Sequence, residues 1–197
     1  MSNYTHAVID LETLSTRPEA VVVAIGAVKF DPFGDSRGAS FMALGDSQIF
    51  YRTIDHALQP HRKTSTETLA WWCEQSLEVQ RLTFPLPHQA GTVAQTLRDF
   101  ADWMKGVEYL WGNGAAFDNA ILRSLCADYE VPYPIGYRGD MDLRTLHLCA
   151  GKPEKPLFVG IQHYALHDAF NEALIIQDCM RRISPNGQGS RLRPLGQ

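Results

Sequence analysis

Asp10 and Glu12 stand two residues apart inside Ala7-Val8-Ile9-Asp10-Leu11-Glu12, a β-branched run of strand length. Alternation along a strand sends both side chains to the same face. Two carboxylates placed together in, or at the edge of, a core repel each other. A chain that folds with them there must offset the charge with a cation, with Arg or Lys, or by protonation. Taken alone, the pair is better read as two exposed acids at a strand end.

A second strand-like run, Ala20 to Val28, follows a turn-rich break at Ser15 to Pro18. The segment from Phe30 to Ser40 holds Asp-Pro-Phe-Gly-Asp, a turn signature. Ser40 to Leu44 and Ile49 to Ile54 are candidates for a third and a fourth strand, so the opening reads as an antiparallel meander. Downstream the period changes. Ser65-Thr66-Glu67-Thr68 caps a segment running through Trp71-Trp72 to Ser76, and Val93 to Met104 carries apolar residues at helical spacing. Leu110-Trp111-Gly112 is a short buried strand leading into a helix from Phe117 to about Tyr129. Asp140 to Leu143 is a further short strand or turn, and Arg144 to Ala150 a short helix. Leu166 to Ile183 is a long helix with Leu166, Ala169, Phe170, Ala173, Ile176 and Met180 on one stripe. Strands first and helices after, with strand and helix alternating late, predict an α/β fold: a mixed sheet flanked by helices.

With 197 residues, the chain has room for one core and a tail. The expected division is a domain over 1–183 and a flexible tail over 184–197. Net charge is −4. At face value that argues against a broad basic surface for phosphates. The charge is uneven, however: from Arg181 onward there are four Arg and no acid, which leaves −8 on the preceding residues. No stretch is apolar enough to span a membrane, and the N-terminus lacks a signal-peptide pattern, so a cytoplasmic protein is expected. Cys73, Cys126, Cys149 and Cys179 are scattered without zinc spacing, which favours reduced, buried thiols.

Two later features bear on the Asp10 and Glu12 pair. Trp111-Gly112-Asn113-Gly114-Ala115-Ala116-Phe117-Asp118 delivers an acid to the first turn of a helix, where the macrodipole favours it. His163-Tyr164-Ala165-Leu166-His167-Asp168-Ala169 sets a His five residues before an Asp. In one continuous helix they would point about 140° apart. They converge only if His163 precedes the helix and Asp168 projects from its first turns.

With these residues in order, the chain resembles the 3′-5′ exonucleases of the DEDD superfamily, histidine subtype, over about residues 6 to 182. Asp10-Leu11-Glu12-Thr13 matches the first motif, Phe117-Asp118 with Asn113 the second, and His163-x-Ala165-x-x-Asp168-Ala169 the third. Thr13 to Ala20 and Thr64 to Ser76 look like the bacterial and phage branch that includes ribonuclease AS. The resemblance implies a ribonuclease H-like fold, and Asp10, Glu12, Asp118 and Asp168 as ligands of two Mg²⁺ ions, Mn²⁺ substituting. It implies His163 as general base, and Thr13, Leu14, Asn113 and Phe117 as contacts to the 3′ end of single-stranded nucleic acid. It also implies a homodimer. The chemistry agrees: hard, octahedral Mg²⁺ takes oxygen ligands, and neutral imidazole accepts a proton near neutral pH.

The leading expectation is a 3′-5′ exoribonuclease. Its rivals are a phage-type exonuclease acting on DNA and a non-catalytic nucleic-acid-binding module on the same fold. Trp71 and Trp72 read as core residues rather than base platforms, and His167, where relatives often carry an acid, as pointing to solvent. His61, Arg62 and Lys63 fit phosphate contacts or a solvated loop. Asp142 with Arg144 fits a helix cap with a local ion pair.

Overall fold

A computed structural model describes residues 4–34, 40–86 and 89–184. β1 (His6–Thr13) and β2 (Val22–Phe30) form the expected antiparallel pair, and β3 (Ile49–Thr53) adds to the far side of β2. β4 (Tyr109–Gly112) lies parallel to the other side of β1, and β5 (Asp140–Asp142) lies parallel to β4. Among the described residues this is one sheet in the order β3-β2-β1-β4-β5.

Six α-helices accompany the sheet among the described residues: α1 (Thr66–Glu74), α2 (Leu77–Thr83), α3 (Val93–Trp103), α4 (Asp118–Asp128), α5 (Leu143–Cys149) and α6 (Ala165–Ile183). Side-chain caps explain several starts. Ser65 accepts from Thr68 N, Ser76 from Val79 N and Asp142 from Thr145 N. Two sequence expectations do not hold. Ser40 to Leu44 is no strand; a 3₁₀ turn at Phe41–Ala43 places the Phe41 ring on Phe170 and His167 at 5.6 and 4.9 Å. α2 was not anticipated, because seven residues are too few for an apolar period to declare itself. The sulfurs are free, but Cys73 and Cys149 are exposed, so only Cys126 and Cys179 are the buried thiols expected.

Alternation along β1 sorts its side chains between two cores. Ala7, Ile9 and Leu11 join Leu97, Phe100, Ile121 and Leu122 from α3 and α4. Val8 faces the other way, with Leu166, Phe170, Ala173 and Ile176 of α6. Asp10 and Glu12 share the parity of Val8 and so face α6. The last pairing of β1 with β4 is Ile9 with Gly112, so both acids emerge where the parallel neighbour has ended. That is the crevice beyond the carboxyl ends of parallel strands, the usual ligand position of such sheets.

Gly26 pairs with Asp10 in the β1–β2 ladder. A Cβ on Gly26 would stand 2.2 Å from the Ala165 carbonyl carbon and 2.4 Å from Leu166 N, so α6 begins directly on this glycine. Backbone cannot yield as a flexible side chain can. Gly26→Ala is expected to destabilise by roughly 1–3 kcal/mol, read as a lowered urea midpoint, and to weaken divalent-cation binding by shifting Asp168. An unchanged midpoint would show that α6 has slack at its start.

Candidate active site

Three of the expected acids come together. Asp10 and Glu12 from β1 and Asp168 from the first turn of α6 each offer an oxygen, all within 4.8 Å of one another. His163 precedes α6, as convergence requires, in a left-handed backbone conformation at φ 62° that non-glycine residues rarely adopt. The backbone N–H groups of His163 and Tyr164 lie where they pull the Asp168 carboxyl back toward ionisation. The His163 ring is held edge-on to Trp71, with centroids 4.9 Å apart.

Asp118 stands beside this triad rather than within it. As the first residue of α4 it accepts a hydrogen bond from Leu11 N at 3.2 Å, which ties it across the top of β1. Gly112 makes room: a Cβ there would meet Asn119 Oδ1 at 2.3 Å and Asp118 Cβ at 3.1 Å. Asn113 receives the Arg144 guanidinium at 3.4 Å. Asp142 is indeed a cap, accepting from Thr145 N and Ala115 N, while Arg144 turns toward Asn113 instead of closing an ion pair with it.

An open cavity of about 340 Å³ adjoins the carboxylates, walled by Glu12, Thr13, Thr16, Glu67, Trp71 and Phe117 among others. Leu14 is not in that wall; it is buried with Val21, Val23, Trp72 and Val79. The two tryptophans divide. Trp72 is core, its indole N–H donating to the Thr13 carbonyl at 2.8 Å, whereas Trp71 is 38% exposed and faces the site. His167 does not point to solvent. Its Nδ1 accepts from Ile161 N at 3.0 Å, fixing the segment that carries His163. Arg62 is buried rather than solvated: it donates to the Ala20 and Pro18 carbonyls and pairs with Asp128 at 2.6 Å.

The electrostatics are those of a centre made for cations. Burial, then the repulsion of Glu12, Glu172, Asp118 and Asp168, pushes the Asp10 carboxyl well above the ordinary range. Burial, then Asp168 and Asp118, does the same to Glu12, whose Oε1 is enclosed without a partner. Burial raises Asp118 to about 7 and Asp168 to about 6, against the pull of backbone N–H donors. Glu172, which the sequence reading passed over, is a further buried acid here. Its signal was present: a Glu four residues after Asp168 lies on the same helix face.

An all-oxygen donor set with an orphaned carboxylate oxygen suits Mg²⁺ or Mn²⁺ and does not suit a thiolate-seeking metal. Without such a cation, the protein is expected to lose stability as pH rises. A carboxyl whose pKa is raised by folding keeps a proton that the unfolded chain has released. The native state is therefore favoured below the ordinary carboxylate pKa, near ~4. It loses that advantage as pH climbs through about 6 for Asp168 and about 7 for Asp118. Melting temperatures between about pH 5 and pH 8 in chelator test this sign. A profile that rises with pH would contradict it.

Two solved structures share the architecture. The nuclease domain of 3′hExo, described as a DEDDh family member bound to rAMP, is 17% identical, covers 91% of this chain and 94% of its own, and superposes with TM-score 0.58. The RNase domain of the yeast Pop2 protein is 14% identical, with 93% and 78% covered and TM-score 0.52. The fold is thus the ribonuclease H-like fold of these nuclease domains. No curated protein matches the chain. A family model, the 3′-5′ exoribonuclease Rv2179c-like domain, matches residues 5–180, and the chain belongs to that family. It is a 3′-5′ exonuclease. No described helix is long and apolar enough to cross a membrane. The Arg-containing tail expected over 184–197 lies, beyond Ser184, outside the described residues.

Proposed function

We propose that this chain removes nucleotides one at a time from the 3′ end of single-stranded RNA, using two Mg²⁺ ions, or Mn²⁺ in their place. The observation that carries this reading is the placement of Asp10, Glu12 and Asp168 within 4.8 Å of one another beside an aromatic-walled cavity. Asp10, Glu12, Asp118 and Asp168 would hold the cations. When bound, two divalent cations supply positive charge for the attacking and departing oxygens of a phosphodiester.

The chain's own groups do the rest. His163, whose ring abuts the cavity-lining Trp71, would take a proton from the attacking water at an imidazole nitrogen, and its partial burial draws its pKa below the ordinary value, keeping it neutral. Phe117 and Trp71 offer faces for the terminal base, where stacking is worth roughly 1–3 kcal/mol and tolerates any base. Thr13 lines the same cavity. Leu14 acts from beneath, packing under the strand end that presents Thr13. Asn113 reaches the carboxylates rather than the cavity wall.

RNA is favoured because the family is one of exoribonucleases. The test uses 5′-labelled single-stranded RNA and DNA of matched sequence, with Mg²⁺, Mn²⁺ or EDTA. Stepwise shortening of RNA that EDTA abolishes is expected. Shortening of DNA alone would reverse the substrate, and hydrolysis surviving EDTA would remove the cations. A homodimer belongs to the same reading, and sedimentation of the purified protein checks it.

A further inference from the structure

Glu172 is a buried acid with no structural employment. It lies on α6, one turn beyond Asp168, and is 6% exposed. Its Oε2 is enclosed without a hydrogen-bond partner. It follows Asp168 by one turn on the same inward face of α6, and Asp118, Asp168 and Asp10 lie within electrostatic reach of its carboxyl. The compensation is small: only Asn113 and Lys155 pull its pKa back down. Leaving a carboxylate oxygen enclosed and unpaired beside other acids is costly, and a fold that only needed to fill this space would do better with an apolar residue.

The oxygens already assigned are unevenly distributed. Asp10, Glu12 and Asp168 make one tight cluster, enough for a single cation that keeps several waters. Asp118 stands outside it, with one oxygen engaged by Leu11 N. A second cation on the Asp118 side therefore meets few free oxygens unless another residue contributes. Resting on the two-cation reading above, we infer that Glu172 serves the second cation's site, its Oε2 accepting from a water of an ion held by Asp10 and Asp118. The centre then comprises five carboxylates. Against two dications it carries one excess negative charge, for which Lys155 lies within electrostatic reach.

The test titrates chelator-treated, full-length protein with Mn²⁺ alone, using calorimetry for affinity and the electron paramagnetic resonance of free Mn²⁺ for stoichiometry. Wild type is expected to bind two ions. Glu172→Gln keeps the shape and removes the charge. It is expected to hold the tighter ion within about twofold of wild type and the other at least about tenfold more weakly. Glu172→Asp keeps the charge but withdraws the oxygen by one methylene; it is expected to lose the same ion, and it decides the matter if the Gln variant does not fold. Unchanged affinity for both ions in a folded variant overturns the inference, as does a wild type that binds one ion. Equal weakening of both ions would mark a structural role and overturn it too. In those cases cation-dependent hydrolysis still stands. Absence of any Mn²⁺ binding by wild type would bring down both.

Discussion

Asp10→Asn is expected to raise the melting temperature of the metal-free protein while reducing hydrolysis by on the order of 10³-fold or more. The two effects have opposite signs because they come from one cause. Asp10 is held among Glu12, Glu172, Asp118 and Asp168, so its charge finds repulsion from every one of its named neighbours. An isosteric amide removes that repulsion without opening a cavity. The same charge is what attracts a dication, and Asp10 is the first residue of β1 beyond its pairing with β4, clustered with Glu12 and Asp168. The stability gain should be largest above about pH 7, where the wild-type acids are driven to ionise, and should shrink toward about pH 5. Adding Mn²⁺ should invert the ranking, stabilising wild type and leaving the variant nearly unmoved. Calorimetric melts with and without Mn²⁺, alongside a turnover assay, read all three effects. A variant less stable than wild type in chelator would show that Asp10 earns structural contacts that outweigh its repulsion.

The physics of that expectation was legible in six residues of sequence. Period-2 alternation put Asp10 and Glu12 on one face, and the structure sets that face against α6, where the apolar stripe of Leu166, Ala169, Phe170, Ala173 and Ile176 packs. The position of His163 ahead of α6 was also foreseeable, since a His five residues before an Asp cannot meet it inside one helix, whereas its left-handed φ was not. What stayed hidden depends on packing between distant segments. Trp71 and Trp72 are adjacent in a helix, and nothing local says which of them turns to the Thr13 carbonyl and which to His163. Leu14 follows the first motif, yet the bulge between Glu12 and Thr13 shifts the register and the side chain goes into a small core. Arg62 looked like a surface cation because its partners, Pro18, Ala20 and Asp128, come from the loop between β1 and β2 and from the end of α4. Glu172 escaped notice for a different reason. A Glu on a long helix is ordinarily solvated, and the buried setting of this one depends on which face α6 turns to the sheet.

Removing the imidazole at His163 should separate proton transfer from cation binding. His163→Ala is expected to lower kcat by about 10²–10⁴-fold, with Mn²⁺ affinity within about twofold of wild type. His163 contributes no oxygen to the cluster of Asp10, Glu12 and Asp168. Its link to Asp168 runs through its backbone N–H, which an Ala at the same position retains. The side chain itself touches the edge of Trp71, an aromatic contact worth roughly 0.5–1.5 kcal/mol that steadies the ring without committing a nitrogen to a partner. The free nitrogen is the property a base needs, and partial burial keeps it unprotonated at neutral pH. Two consequences distinguish this role from a scaffolding one. Imidazole added to the buffer should restore part of the lost turnover in the Ala variant, because His163 is exposed and its ring abuts the cavity-lining Trp71. Trp71→Ala, by contrast, should raise KM more than it lowers kcat, since it removes a stacking face while leaving the base in place. Turnover that survives in His163→Ala would mean that the water loses its proton without this imidazole, and loss of Mn²⁺ binding in the same variant would place His163 among the groups that build the cation site.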